Sequence, residues 1–182
     1  AGNGEYTVNI ALIHKDRATA GVIAIPETGV LYLGIESVGI LETTFKAIQE
    51  DLQLSDFQTT DHPARPDVGL LRIAVSRSHP DPHTREMIKR LKEENLTVEE
   101  IPRGSSLKFC EIASGKADIY LRHSPTSEWD SAAGDAIVHA AGGLTMSMPS
   151  GDPLAYNKPK LINPPFVSFR HQALSDRFLK IL

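Results

Sequence analysis

The sequence predicts an α/β protein in which antiparallel strands lead into a mixed, largely parallel sheet with flanking helices. Three observations carry that expectation. Residues 5–35 hold three runs rich in β-branched and aromatic residues, separated by short turns. From residue 70 onward, short apolar runs alternate with segments of helical period, the pattern of strand–helix units laid on a parallel sheet. Between the two lies a polar, proline-containing stretch with Asp51, Ser55, Asp56, Thr59, Asp61, Pro63 and Pro66, which reads as a surface connection. The expected organisation is therefore an antiparallel region over 1–48, a linker over 49–67, and an α/β domain over 68–182.

Taken in order, residues 5–13 predict the first strand, Lys15-Asp16-Arg17 a turn, 20–25 a second strand, Pro26-Glu27-Thr28-Gly29 another turn and 30–35 a third strand. A short helix is expected over 41–48. Three strands and a short helix leave one sheet face with little to pack against, so something must cover it. Residues 70–75 then predict a strand, and 80–94 a helix with Met87, Ile88 and Leu91 on one face. A strand over 96–101, a helix over 105–114 and a strand over 117–122 follow. The next helix starts near Trp129 and stops at Gly142-Gly143. Short strands over 144–148, 153–156 and 166–169 and an amphipathic helix over 172–182 complete the chain. There is no internal repeat.

Composition narrows the functional classes. A net charge of −4 argues against general affinity for nucleic acid or membrane surfaces, so an anionic substrate needs local cations. No apolar run approaches the roughly 18 residues needed to span a bilayer, and the first residues lack the basic and apolar segments of a signal peptide. The single cysteine, Cys110, has no internal disulfide partner. These features point to the cytoplasm. Phe109 and Ile112 make Cys110 a small buried residue more readily than a nucleophile.

Four stretches could carry chemistry. In Glu128-Trp129-Asp130-Ser131-Ala132-Ala133-Gly134-Asp135, small residues predict a closely packed helix with Asp130 at its mouth. There the first N–H groups lack helical partners and the dipole is positive, so a carboxylate is stabilised and an anion can dock. The same letters also suit an N-cap on a buried helix. Val75-Ser76-Arg77-Ser78-His79 brings hydroxyls, a guanidinium and an imidazole to a strand end; a polar turn explains it equally. Gly104-Ser105-Ser106-Leu107-Lys108 offers hydroxyls and a cation at a helix start, or a Ser cap with a solvated lysine. Arg122 ends a strand, as a substrate-side cation or a surface ion pair. His79 and His83 have metal-ligand spacing, but no third nitrogen or sulfur ligand is evident and zinc is not expected. No histidine is placed to activate Ser131. Asp135, five residues beyond Asp130, points to another part of the helix.

Trp-Asp-x-Ala-Ala-Gly followed by Ala-Gly-Gly resembles the second signature of the inositol monophosphatase superfamily of metal-dependent, lithium-sensitive phosphatases. Ser-Arg-Ser-His and Gly-Ser-Ser-Leu-Lys-Phe-Cys narrow the resemblance to the CysQ-type 3′(2′),5′-bisphosphate nucleotidases. The resemblance implies the α+β sandwich of sugar phosphatases, with Asp130 as a metal ligand and Mg2+ as cofactor. It implies that His79 faces the nucleotide, that Ser105, Ser106 and Lys108 contact phosphate and ribose, and that Arg122 is a further substrate-side cation. The implied substrate is a small nucleotide, 3′-phosphoadenosine 5′-phosphate, not a nucleic acid polymer. Loss of its 3′-phosphate gives AMP and serves sulfur assimilation.

The family's other metal carboxylates come from an upstream Glu and an Asp-Pro-Leu-Asp-Gly-Thr motif, which also orients the attacking water. In the nucleotidases it lies shortly before a stretch resembling residues 4–13, and this sequence does not contain it. By the resemblance, the water-activating residues lie upstream of Ala1, in a missing N-terminal half of the same protein, and the 182 residues alone turn over weakly or not at all. An inositol or sugar phosphatase of the superfamily, and a non-catalytic nucleotide-binding module, are the alternatives.

Overall fold

A computed structural model describes residues 4–49, 53–57, 69–78, 81–148 and 150–179. The chain opens with β1 (Val8–His14), β2 (Arg17–Ile25), β3 (Val30–Ile35) and β4 (Gly39–Thr44), hydrogen-bonded in that order as an antiparallel sheet. The tight β1–β2 turn is closed by Lys15 in the left-handed region, at φ 59°. β4 replaces the helix expected over 41–48, of which only a 3-10 turn at Ala47–Gln49 remains. Leu41, Glu42 and Lys46 favour a helix locally, but Ile40, Thr43 and Thr44 complete the ladder on β3, and pairing overrides propensity.

The second layer contains β5 (Leu70–Ser76), α1 (Pro82–Glu93), β6 (Thr97–Arg103), α2 (Leu107–Ala113), β7 (Ile119–Arg122), β8 (Thr126–Ser127), α3 (Glu128–Ala140), β9 (Leu144–Ser147), β10 (Ile162–Asn163), β11 (Phe166–Phe169) and α4 (Gln172–Phe178). Five strands form a mixed sheet in the order β6-β5-β7-β11-β9. β6, β5 and β7 run parallel, whereas β11 is antiparallel to both β7 and β9. Residues 153–156, expected as a strand, make only an isolated bridge from Pro153 to Met146. β8 and β10 were not expected; they pair over two residues each and brace the start of α3. Most of the linker expected over 49–67, and residues 180–182 of the last expected helix, lie outside the described residues.

The antiparallel sheet is covered by α3. Ile23, Tyr32, Ala11, Ile13, Ile25, Val30 and Ile40 face Ala132, Ala133, Ala136 and Ile137 in one continuous core that also takes in Phe109, Tyr120 and Phe166. The approach is close enough to require glycine: a Cβ on Gly21 would lie 2.3 Å from the Ala133 carbonyl oxygen. This explains the run of small residues in the helix. On the opposite face Val8, Ile10 and Leu12 are each at least 50% exposed. A second cluster, built on Leu71, Ile73, Leu91, Ile119, Val167 and Phe169, packs the mixed sheet against α1 and α4.

Candidate active site

The described residues form a cavity of about 370 Å3 where β5 and β7 end and α3 begins, the side of an α/β sheet where ligands gather. Ser76, Ser78, Ser105, Ser106, Lys108, Arg122 and Asp130 all line it. Five of the six site residues expected from sequence thus share one cleft. The sixth, His79, lies outside the described residues.

One wall is the turn into α2. Gly104 donates its N–H to Glu5 Oε2 at 2.7 Å. Ser105 follows with a φ of 45°, a left-handed conformation that a residue with a Cβ adopts only under constraint. The constraint comes from β1's approach: Thr7 Oγ1 sits 2.6 Å from Ser105 Oγ and 2.8 Å from Ser106 Oγ, and Ser106 Oγ donates to Asn9 Oδ1 at 2.8 Å. Lys108 is 3% exposed, and its Nζ donates to the Ser105 carbonyl at 2.6 Å while lying 5.3 Å from the centre of the Tyr120 ring. Burial first, and the Arg122 guanidinium second, lower its pKa to about 8. Arg122 donates from Nε to the Ser124 carbonyl at 3.2 Å. Arg77, by contrast, serves the scaffold: it pairs with Glu5 Oε1 at 3.0 Å and donates to the Pro102 carbonyl.

The other wall is the first turn of α3. Asp130 is not the N-cap; Ser127 is, and Asp130 is its capping-box partner, Oδ2 accepting the Ser127 N–H at 2.9 Å. The carboxylate remains exposed to the cleft. Behind it, Glu128 accepts the N–H groups of Asn157 and Lys158 at 2.7 and 3.1 Å and pairs with Lys158 Nζ at 2.6 Å. Burial opposes its charge, but the Lys158 ammonium and these two N–H groups hold its pKa below the ordinary value. Asp135 points away from the cleft, as its spacing predicts. It is buried beside His139, with Oδ1 3.8 Å from Nε2, and burial raises its pKa.

Glu5, Thr7 and Asn9 were not anticipated. Asn9 shares the inward face of β1 with Ala11 and Ile13, and a polar residue at an inward position was the available signal. Asn163 was missed because the acceptors of its side-chain N–H groups lie more than thirty residues away.

Among the described residues no three His, Cys, Asp or Glu side chains are grouped to hold a metal ion. Asp130 offers the cleft an exposed carboxylate, a hard oxygen donor that suits a divalent cation as one ligand among several. No helix among the described residues is long and apolar enough to cross a membrane.

A family model described as "Inositol monophosphatase family" matches residues 1–181. The 3′(2′),5′-bisphosphate nucleotidase CysQ of Escherichia coli strain K12 is 37% identical over 165 residues, covering 90% of this chain and 60% of that protein. Its counterpart in Salmonella typhimurium is 40% identical over 140 residues, 77% of this chain and 50% of that one. The crystal structure of CysQ from Bacteroides thetaiotaomicron superposes with a TM-score of 0.76 at 36% identity, covering 93% of this chain and 65% of that one. The chain thus spans about 60% of the length of the E. coli relative.

Proposed function

The chain belongs to the inositol monophosphatase family, and from that premise we propose that it serves a magnesium-dependent phosphatase removing the 3′-phosphate of 3′-phosphoadenosine 5′-phosphate. The observation that carries the reading is the convergence of Ser105, Ser106, Lys108 and Arg122 with Asp130 on one cleft. Two cations suit a substrate with two phosphates, whereas an inositol monophosphate needs only one. The nucleotidase relatives, similar over most of this chain, support the same choice.

In this reading Lys108 and Arg122 offset phosphate charge, and the Ser76, Ser78, Ser105 and Ser106 hydroxyls orient its oxygens. The resemblance implies a nucleotide contact for His79, which lies outside the described residues. Asp130 would be a ligand of the Mg2+, which when bound would supply Lewis acidity and make a water more acidic. Water adds to phosphorus as the P–O3′ bond breaks, giving AMP and inorganic phosphate. Burial pushes the Cys110 thiol up and keeps it unreactive.

The test is phosphate release from 3′-phosphoadenosine 5′-phosphate and from inositol 1-phosphate, with and without Mg2+, alongside equilibrium binding of the nucleotide. Nucleotide binding tightened by Mg2+, with at most weak release and none from the inositol ester, supports the reading. Preference for the inositol ester would make the chain a sugar phosphatase, and tight nucleotide binding that Mg2+ leaves unchanged would make it a binding module.

A further inference from the structure

The mouth of α3 is held by a segment that contributes nothing to the cleft lining, and we infer that Asn163 is a positioning residue that sets the orientation of the Asp130 carboxylate. The inference rests on the reading of Asp130 as a cation ligand. Asn163 is 3% exposed, and its side-chain amide donates to three acceptors around the first turn of α3. These are Ser131 Oγ at 2.8 Å, the Ser127 carbonyl at 3.0 Å and Thr126 Oγ1 at 3.2 Å. Two N–H bonds serve three acceptors, and Asn163 Oδ1 accepts from Lys158 Nζ at 3.4 Å, so the amide is fully used.

The geometry places Asp130 inside this frame. Asn163 fixes Ser127 through its carbonyl, and the N–H of that same residue is what Asp130 Oδ2 accepts. On the far side of Asp130, Ser131 is held by Asn163 and also donates to the Glu128 carbonyl at 3.3 Å. The β8–β10 pairing sets Asn163 opposite Thr126, and Glu128 N–H donates to the Leu161 carbonyl at 3.1 Å. Residues 127, 128 and 131 are thus each tied to the 155–163 segment. Asp130, the exposed residue among them at the cleft, inherits its direction from that frame. Outer contacts of this kind hold a ligating carboxylate in its productive orientation, and losing one commonly weakens metal affinity by about 10–100-fold.

The experiment compares the wild-type chain with Asn163→Ala, Asn163→Asp and Asp130→Asn. Mg2+ is titrated in saturating 3′-phosphoadenosine 5′-phosphate and followed by emission of Trp129, the sole tryptophan and the neighbour of Asp130. Nucleotide affinity is also measured in chelator, where only the Ser105–Lys108 wall is read. Asn163→Ala and Asn163→Asp are expected to weaken Mg2+ by about 10–100-fold, with chelator-phase nucleotide affinity within about twofold of wild type. Should Asn163→Ala not fold, Asn163→Asp, which keeps the shape and loses the donor, carries the test. Unchanged Mg2+ affinity in a folded Asn163 variant, or an equal loss on both walls, overturns the proposal while Asp130→Asn still weakens Mg2+. If Asp130→Asn leaves Mg2+ affinity unchanged, the ligand reading itself falls, and the proposal with it.

Discussion

The two walls of the cleft are built to different standards. At the mouth of α3, Glu128, Ser131 and Asn163 are 8, 1 and 3% exposed, and each bonds to a distant segment. Across the cleft, Ser106 and Lys108 are as buried, at 5 and 3%, but Ser105 and Thr7 meet as hydroxyls at an exposed contact over a left-handed backbone. A buried hydrogen bond cannot be exchanged for water without cost, so the frame behind Asp130 is costly to open. The exposed Ser105 edge of the basic wall is the part where an internal contact is cheapest to exchange for a ligand. A rigid wall suits an ion with strict geometric demands; an adjustable one suits a flexible phosphate ester.

The largest break in that contrast comes from Asp130→Asn. Asparagine keeps an oxygen to accept the Ser127 N–H, so the melting temperature should stay within a few degrees. The charge is lost, and Mg2+ affinity in saturating nucleotide should fall by more than the roughly 10–100-fold associated with outer contacts. Trp129 emission against Mg2+ concentration measures it. Next in size is Gly21→Ala, whose Cβ would meet backbone 2.3 Å away in α3. Overpacking against backbone costs about 1–3 kcal/mol, outweighing the ~0.4–1 kcal/mol gained by restricting the unfolded chain. A lower urea midpoint at unchanged slope is the expected result; an unshifted midpoint would mean that α3 and the sheet are less closely seated than the geometry requires.

A smaller effect sharpens the contrast through pH. Lys108 is charged below about 8 and loses its proton as pH rises through that value. Anion binding favours the charged form, so nucleotide affinity should be full near pH 6.5 and weaken, by at most about tenfold per pH unit, above 8. Arginine stays charged throughout, so Lys108→Arg should flatten that limb even where it lowers affinity. Isothermal titrations from pH 6.5 to 9.5 decide the point, and a wild-type profile flat across pH 8 would remove Lys108 from the phosphate contacts.

Much of this was legible in the residues. The β-branched and aromatic runs over β1–β3 and the small-residue run of α3 specified elements that hold in the structure, because composition and close packing are local signals. The Ser105, Ser106, Lys108, Arg122 and Asp130 positions came from motif resemblance, and the fold brings them to one cleft. What escaped was non-local. β4 depends on β3 as a template, and two-residue strands such as β8 and β10 carry no periodicity at all. The latch from Thr7 to Ser105 spans 98 positions, and nothing in either neighbourhood announces the other.

That latch gives the smallest effect and the finest distinction between the walls. Thr7→Val keeps the shape and removes the hydroxyl shared by Ser105 and Ser106. A net hydrogen bond is worth about 0.5–1.5 kcal/mol, and less where water replaces it, so stability should move by under about 1 kcal/mol. The effect on nucleotide affinity has a sign that carries the information. If Thr7 pre-orients the two serines, holding Ser105 in its strained backbone, its loss should weaken binding by about two- to tenfold, within the worth of one hydrogen bond. If affinity instead rises, the Thr7 hydroxyl competes with phosphate for the serines, and the wall is assembled by the ligand. Measuring Thr7→Val beside Asn9→Ala, which removes only the Ser106 acceptor, assigns the effect to one serine or the other.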